Sequence, residues 1–229
     1  MFDGRFRVEV ERAIRPIGEL LRRTKMTPDH FTVIGLLIAV GAAFAIGLGA
    51  LPLGLFLVVL AALPDLLDGA LAKASNSASQ RGAFFDSVID RITDTVLLGG
   101  VAWYLINERG GHAALVPFAV MGVSMLISYE RAKAESLGLQ AKGGLMERAE
   151  RIILLCIGLL FGSMLYWVMW LMLVLTSATA IQRFVKVWRQ AAVAPTTAEK
   201  QAVRRSRRAS RRSVRDAYRA RLQSRRRHP

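Results

Sequence analysis

Cysteine is nearly absent: Cys156 stands alone in 229 residues. That excludes an intrachain disulfide framework and any multi-cysteine zinc site. Histidine is scarce as well. His30, His112 and His228 are scattered along the chain, so a histidine-based metal site is not expected. Acidic charge is also short: 17 Asp and Glu stand against 32 Lys and Arg, a net charge of +15. Apolar residues, by contrast, make up 53% of the chain. That combination excludes disorder for most of the chain and argues against a purely soluble fold.

The positive charge is concentrated at one end. From Ala191 onward, Lys200 and twelve arginines face only Glu199 and Asp216. The segment Met1–Lys25 mixes charged and apolar residues without an apolar core, so a cleavable signal peptide is not expected. Its apolar positions at Phe2, Phe6, Val10, Ile14, Ile17 and Leu21 recur every three to four residues. This spacing predicts an amphipathic helix, lying at a membrane interface or packed on the body.

Phe31 to Pro64 contains no charged residue, and neither does Ile152 to Gln182. A bilayer core about 30 Å thick needs roughly 20 helical residues, so each run is too long for one span. Gly47 to Pro52 breaks the first run and Gly162-Ser163 the second, because glycine and proline punctuate helices. The pattern predicts six helices, over about 31–49, 53–73, 82–107, 113–134, 146–161 and 165–188. The fold class expected is an all-α integral membrane protein. Six transmembrane helices follow an N-terminal amphipathic juxtamembrane helix, with domains at 1–30, 31–190 and 191–229.

The connections near 50, 109 and 163 carry a single basic residue, Arg109. The N-terminal segment, the loops near 77 and 140, and the tail are basic. The positive-inside rule therefore puts both termini on the cytoplasmic side of a multi-pass protein of the cell (inner) membrane. The tail is expected to be disordered on its own and to meet anionic membrane lipids, at about 1 kcal/mol per basic residue near the surface. Nucleic acid is the weaker partner, since Tyr218 is the only aromatic available there to stack on bases.

Charged side chains within membrane spans are costly and usually functional. Asp65 and Asp68 share a helix face at the end of the second span. Asp86, Asp90 and Asp94 share a face in the first half of the third. Carboxylates crowded together would repel one another. A hard divalent cation such as Mg²⁺, Mn²⁺ or Ca²⁺ would offset that repulsion. Asp94 is read as a residue that positions Arg91, as a support standing behind the site residues, or as a packing residue. A small cation transporter with the aspartates as its ion site is the competing class, but it predicts carboxylates near the bilayer midplane. Here they fall at the cytoplasmic ends of two helices.

The stretch Asp65-x2-Asp68-Gly69-x2-Ala72-Lys73-x8-Gly82-x3-Asp86-x3-Asp90 resembles the signature of the CDP-alcohol phosphotransferase family, D-x2-D-G-x2-A-R-x8-G-x3-D-x3-D. Only the arginine differs, replaced by Lys73, which keeps the charge and loses the bidentate fork. The resemblance implies transfer of a phosphatidyl group from CDP-diacylglycerol to an alcohol with release of CMP, six transmembrane helices, and a homodimer. It implies two Mg²⁺ ions, or Mn²⁺ in their place, held by Asp65, Asp68, Asp86 and Asp90. Such a pair would clamp the attacking and leaving oxygens. Asp90 is implied as the catalytic base. Asp29, His30, Phe31, Thr32, Gly69, Lys73 and Ser79 are implied as donor contacts.

Two further stretches, Ser128 to Leu139 and Gly143 to Arg151, together with Gln182-Arg183, resemble the phosphatidylinositol-phosphate synthase branch of that family. Carried over by position, Arg131, Lys133, Arg148 and Arg183 are the expected contacts to the phosphate of an inositol phosphate acceptor. Arg151 and Lys142 are read as orientation or lipid-headgroup charges. An anionic acceptor suits such a cationic pocket, but charge alone does not separate inositol phosphate from glycerol 3-phosphate. Phosphatidylglycerol-phosphate synthesis is thus the alternative within the family.

Overall fold

The computed structural model describes residues 28–62, 80–141, 143–192 and 205–206. The expected N-terminal amphipathic helix, Asp65, Asp68, Gly69, Lys73, Ser79, Lys142 and nearly all of the basic tail lie outside the described residues. Those described are helical, with no strand among them. Among the described residues six helices longer than one turn follow in order: α1 (Pro28–Gly47), α2 (Leu51–Ala62), α3 (Gln80–Arg109), α4 (Leu115–Ser136), α5 (Arg148–Leu160) and α6 (Leu165–Ala192). Short 3₁₀ turns, Gly111–Ala114 and Gly162–Met164, precede α4 and α6. The chain divides into two units, Met1–Val185 and Lys186–Pro229. The second is represented by the last turns of α6 and by residues 205–206.

Local chemistry sets the helix boundaries. Pro28 and Asp29 open α1. Proline lacks a donor that the first turn would leave unused, and a carboxylate there suits the positive end of the helix. Gly49, at φ 83°, closes α1. Gly49 N donates to the Ile46 carbonyl and Ala50 N to the Ala45 carbonyl, each at 2.9 Å. This is a Schellman cap, and it needs a residue free to turn left-handed. It separates α1 from α2 at the predicted break. The turn after α4 repeats the arrangement. Gly138 N donates to the Glu135 carbonyl at 3.0 Å and Leu139 N to the Ala134 carbonyl at 2.9 Å.

The core runs through all six helices. Ala39, Ala42 and Ile46 of α1 bury against Leu97, Val101 and Leu105 of α3. This contact is close because Gly100 has no side chain: a Cβ there would stand 2.6 Å from the Ala43 carbonyl oxygen and 2.7 Å from its Cα. Small residues at such crossings let backbones approach and gain dispersion contact. Val116 and Val120 of α4, Leu155 and Leu159 of α5, and Leu165, Met169 and Met172 of α6 complete the core.

The outer surface is strongly apolar. Leu37, Phe56, Trp167 and Ile181 are each more than 60% exposed. Three segments, Asp29–Gly47, Gly111–Ser136 and Gly162–Ala192, are long and apolar enough to cross a membrane. Large exposed apolar surface on long helices is the pattern of a protein solvated by lipid rather than water.

Candidate functional site

Three aspartates climb one face of α3 at four-residue steps. Asp86 is exposed; the side chains of Asp90 and Asp94 are 18% and 12% exposed. The start of α5 stands opposite the upper two. Arg148 Nη1 lies 2.6 Å from Asp90 Oδ1, and Arg148 Nε lies 3.5 Å from Asp94 Oδ1. Arg151 Nη2 donates to Asp94 Oδ2 at 2.7 Å. Arg91 Nη1 reaches the other oxygen of Asp90 at 3.3 Å.

The α5 N-terminus is built to hold this position. Glu147 and Glu150 form a reciprocal capping box, with Glu147 N donating to Glu150 Oε2 at 3.0 Å. Such a box satisfies two donors that a helix start leaves open. The loop before it is fastened to α6: Met146 N donates to Thr179 Oγ1 at 3.0 Å. Gly144 allows this approach, since a Cβ there would sit 2.6 Å from Thr179 Cγ2.

Arg183 of α6 is only 4% exposed. Its Nη1 donates to the Ile127 carbonyl at 3.0 Å and its Nη2 to the Gly143 carbonyl at 3.3 Å. Glu147 Oε1 is 3.7 Å from Nη2. Its Nε, also buried, has no hydrogen-bond partner among the described residues, so the protein's own groups do not use up the guanidinium.

Between α3, α4, α5 and α6 these residues surround a cleft of about 240 Å³. Asp90, Ser128, Arg131, Arg148, Arg151 and Arg183 are on its walls. Counting Arg91, Glu147 and Glu150 as well, five arginines face three carboxylates, and the cleft is cationic. Two of those arginines, Arg148 and Arg151, stand in the first turns of α5, where the helix dipole disfavours cations. The ion pairs with Asp90 and Asp94 offset that unfavourable position.

The other expected site residues are placed as follows. Arg131 is exposed at the rim and pairs with Glu135 at 3.0 Å. Lys133 is exposed on α4 and does not line the cleft. Asp29, His30, Phe31 and Thr32 occupy the first turns of α1, with Thr32 buried and His30 exposed. Asp65, Asp68, Gly69, Lys73 and Ser79 lie outside the described residues. Among those described, no three His, Cys, Asp or Glu side chains gather to hold a metal ion. Asp86 and Asp90 nevertheless offer hard oxygen donors one helical turn apart, a donor chemistry that fits Mg²⁺ or Mn²⁺.

Two sequence readings need correction. Asp94 meets Arg148 and Arg151, while Arg91 turns to Asp90. Arg151 is 8% exposed and ion-paired, so it is not a headgroup charge on the surface. The four-residue register of Asp86, Asp90 and Asp94 was the available signal for Asp94.

A family model described as CDP-alcohol phosphatidyltransferase matches residues 25–188. The archaetidylinositol phosphate synthase of Methanothermobacter thermautotrophicus is 33% identical over 192 residues, covering 82% of this chain and 94% of that protein. The phosphatidylinositol phosphate synthase of Mycobacteroides abscessus is 35% identical over 176 residues, covering 73% of this chain and 80% of that protein. The crystal structure of Mycobacterium tuberculosis phosphatidylinositol phosphate synthase with CDP-DAG bound is similar at a TM-score of 0.74 and 31% identity. It covers 81% of this chain and 99% of that one. A second structure of that protein, in complex with manganese and citrate, also has a TM-score of 0.74 and covers 80% and 93%.

Proposed function

We infer the reaction from the family: the chain belongs to the CDP-alcohol phosphatidyltransferases, and it transfers a phosphatidyl group from CDP-diacylglycerol to inositol phosphate, releasing CMP. The relatives support the acceptor in particular. Their names share inositol phosphate and differ in the lipid.

The observation that carries the assignment of the site is the contact between Arg148 and Asp90 at 2.6 Å. It joins the cationic cleft to the family's last aspartate. In this reading Arg131, Arg148 and Arg183 bind the acceptor's phosphate. Guanidinium forks suit phosphate oxygens in pairs. A doubly charged phosphate monoester compensates the cleft, and a neutral polyol does not. The bound phosphate holds the ring so that one hydroxyl faces Asp90. Asp90 accepts that hydroxyl's proton as its oxygen attacks the phosphorus carrying the diacylglycerol. The new O–P bond forms, and the bond to the departing CMP oxygen breaks. Asp86 and Asp90, with Asp65 and Asp68, would hold two Mg²⁺ or Mn²⁺ ions, which when bound neutralise charge on the pyrophosphate. Asp29, His30, Phe31, Thr32, Gly69, Lys73 and Ser79 are assigned to the donor.

The same reading makes this a six-span enzyme of the cell membrane, preceded by the juxtamembrane helix, with both termini and the cleft on the cytoplasmic side. It acts as a homodimer, and its basic tail lies on anionic lipid. The test is CMP release by purified protein in detergent with CDP-diacylglycerol and Mg²⁺, offering inositol 3-phosphate, glycerol 3-phosphate and free inositol separately. Turnover with inositol 3-phosphate is expected and none with free inositol. Turnover with glycerol 3-phosphate alone would keep the family and overturn the acceptor.

A further inference from the structure

We propose that Asp94 is a positioning residue of the acceptor cleft, holding the two arginines at the start of α5 where an incoming phosphate can meet both. The proposal rests on the reading of the cleft as the acceptor site. Asp94 lies outside the family signature quoted above, and it does not line the cleft itself, whereas Arg148 and Arg151 do. It sits one turn beyond Asp90 against an apolar floor. A small cavity of about 20 Å³ there is bounded by Asp94, Leu97, Leu98, Arg151, Leu155 and Met172. Its effect on substrate therefore runs through the arginines.

The carboxylate is divided between them. Oδ2 accepts from Arg151 Nη2 at 2.7 Å, and Oδ1 lies 3.5 Å from Arg148 Nε. Arg148 thus faces both carboxylates, Asp90 in a direct ion pair at Nη1 and Asp94 in a longer charge contact at Nε that is not a hydrogen bond. Arg151 and Asp94 have side chains only 9% and 12% exposed. A charge this buried is tolerated when paired and costly when left alone. The α5 dipole works against both cations, and long arginine side chains have many rotamers to escape into. A fixed carboxylate behind them removes that freedom before substrate arrives, and pre-paid ordering of this kind appears as affinity.

The test uses the full chain in detergent with Asp94→Asn, which keeps the shape and removes the charge, and Asp94→Glu, which keeps the charge on a longer arm. Acceptor KM, CDP-diacylglycerol KM and kcat are measured, together with the protection that inorganic phosphate gives against thermal unfolding. In Asp94→Asn the acceptor KM is expected to rise roughly tenfold or more, the weight of one charge-assisted hydrogen bond. Donor KM should stay unchanged and phosphate protection should be lost. Asp94→Glu should fall between Asn and wild type. Should the asparagine variant not fold, the glutamate variant is read by itself against wild type. Acceptor KM unchanged, both KM values raised together, or full phosphate protection retained would each overturn the proposal. The acceptor assignment fails separately: wild-type protein using a different phosphorylated alcohol refutes that reading, while the same KM split, taken with that alcohol, still decides the role of Asp94.

Discussion

Replacing Arg183 by lysine keeps a positive charge and removes the fork that joins α6 to α4 and to the loop before α5. The native guanidinium spans two carbonyls, Ile127 at 3.0 Å and Gly143 at 3.3 Å. A single ammonium on its flexible stem satisfies one of them. A hydrogen bond from a charged donor contributes about 1.5–3 kcal/mol, and Arg183 is 4% exposed, so solvent does little to reduce that figure. For a chain of this length 1 kcal/mol shifts the unfolding midpoint by about 2–4 °C. The lysine variant should therefore unfold roughly 3–12 °C lower. Cys156 is the chain's only thiol and is partly buried, which makes a thiol-reactive fluorogenic dye at a fixed heating rate a direct reporter. In the acceptor site proposed above, the same substitution takes a guanidinium fork away from the phosphate, and acceptor KM should rise about tenfold while donor KM holds. A lysine variant with wild-type unfolding temperature and wild-type acceptor KM would refute the role given to this residue.

Asp90→Asn should lower turnover about 10²- to 10⁴-fold, the loss expected of the proposed general base, read as CMP release. Gly100→Ala places a Cβ 2.6 Å from the Ala43 carbonyl oxygen. Helices α1 and α3 must separate, at about 1–3 kcal/mol, read as a lower unfolding temperature. Thr179→Val removes the acceptor for Met146 N, a cost of about 1 kcal/mol. Amide exchange should quicken at Met146 and its neighbours and stay unchanged in α1.

The breaks between helices were legible because they depend on local chemistry. Gly47, Gly49 and Pro52 divide the first apolar run where α1 gives way to α2, and Gly162-Ser163 falls in the turn before α6. The capping pair Glu147 and Glu150 fixes the start of α5 two residues beyond the expected boundary. Periodicity also showed that Asp86, Asp90 and Asp94 share one face of α3. It could not show what stands opposite. The Asp94–Arg151 bond joins residues 57 apart in sequence, and only the packing of α5 on α3 brings them together. Arg151 was misread for a related reason. A basic residue near a predicted membrane boundary has an adequate explanation in orientation alone, and burial, which decides otherwise, is a tertiary property.

The acceptor is where the account is most exposed, and a competition experiment tests it directly. Purified protein with CDP-diacylglycerol and Mg²⁺ would be offered equal concentrations of inositol 3-phosphate and glycerol 3-phosphate, and the lipid products separated by mass spectrometry. Phosphatidylinositol phosphate should dominate from the earliest time point, and turnover of both phosphorylated acceptors should fall in Arg148→Ala and Arg183→Lys. Phosphatidylglycerol phosphate as the main product would contradict the assignment of the cleft to inositol phosphate.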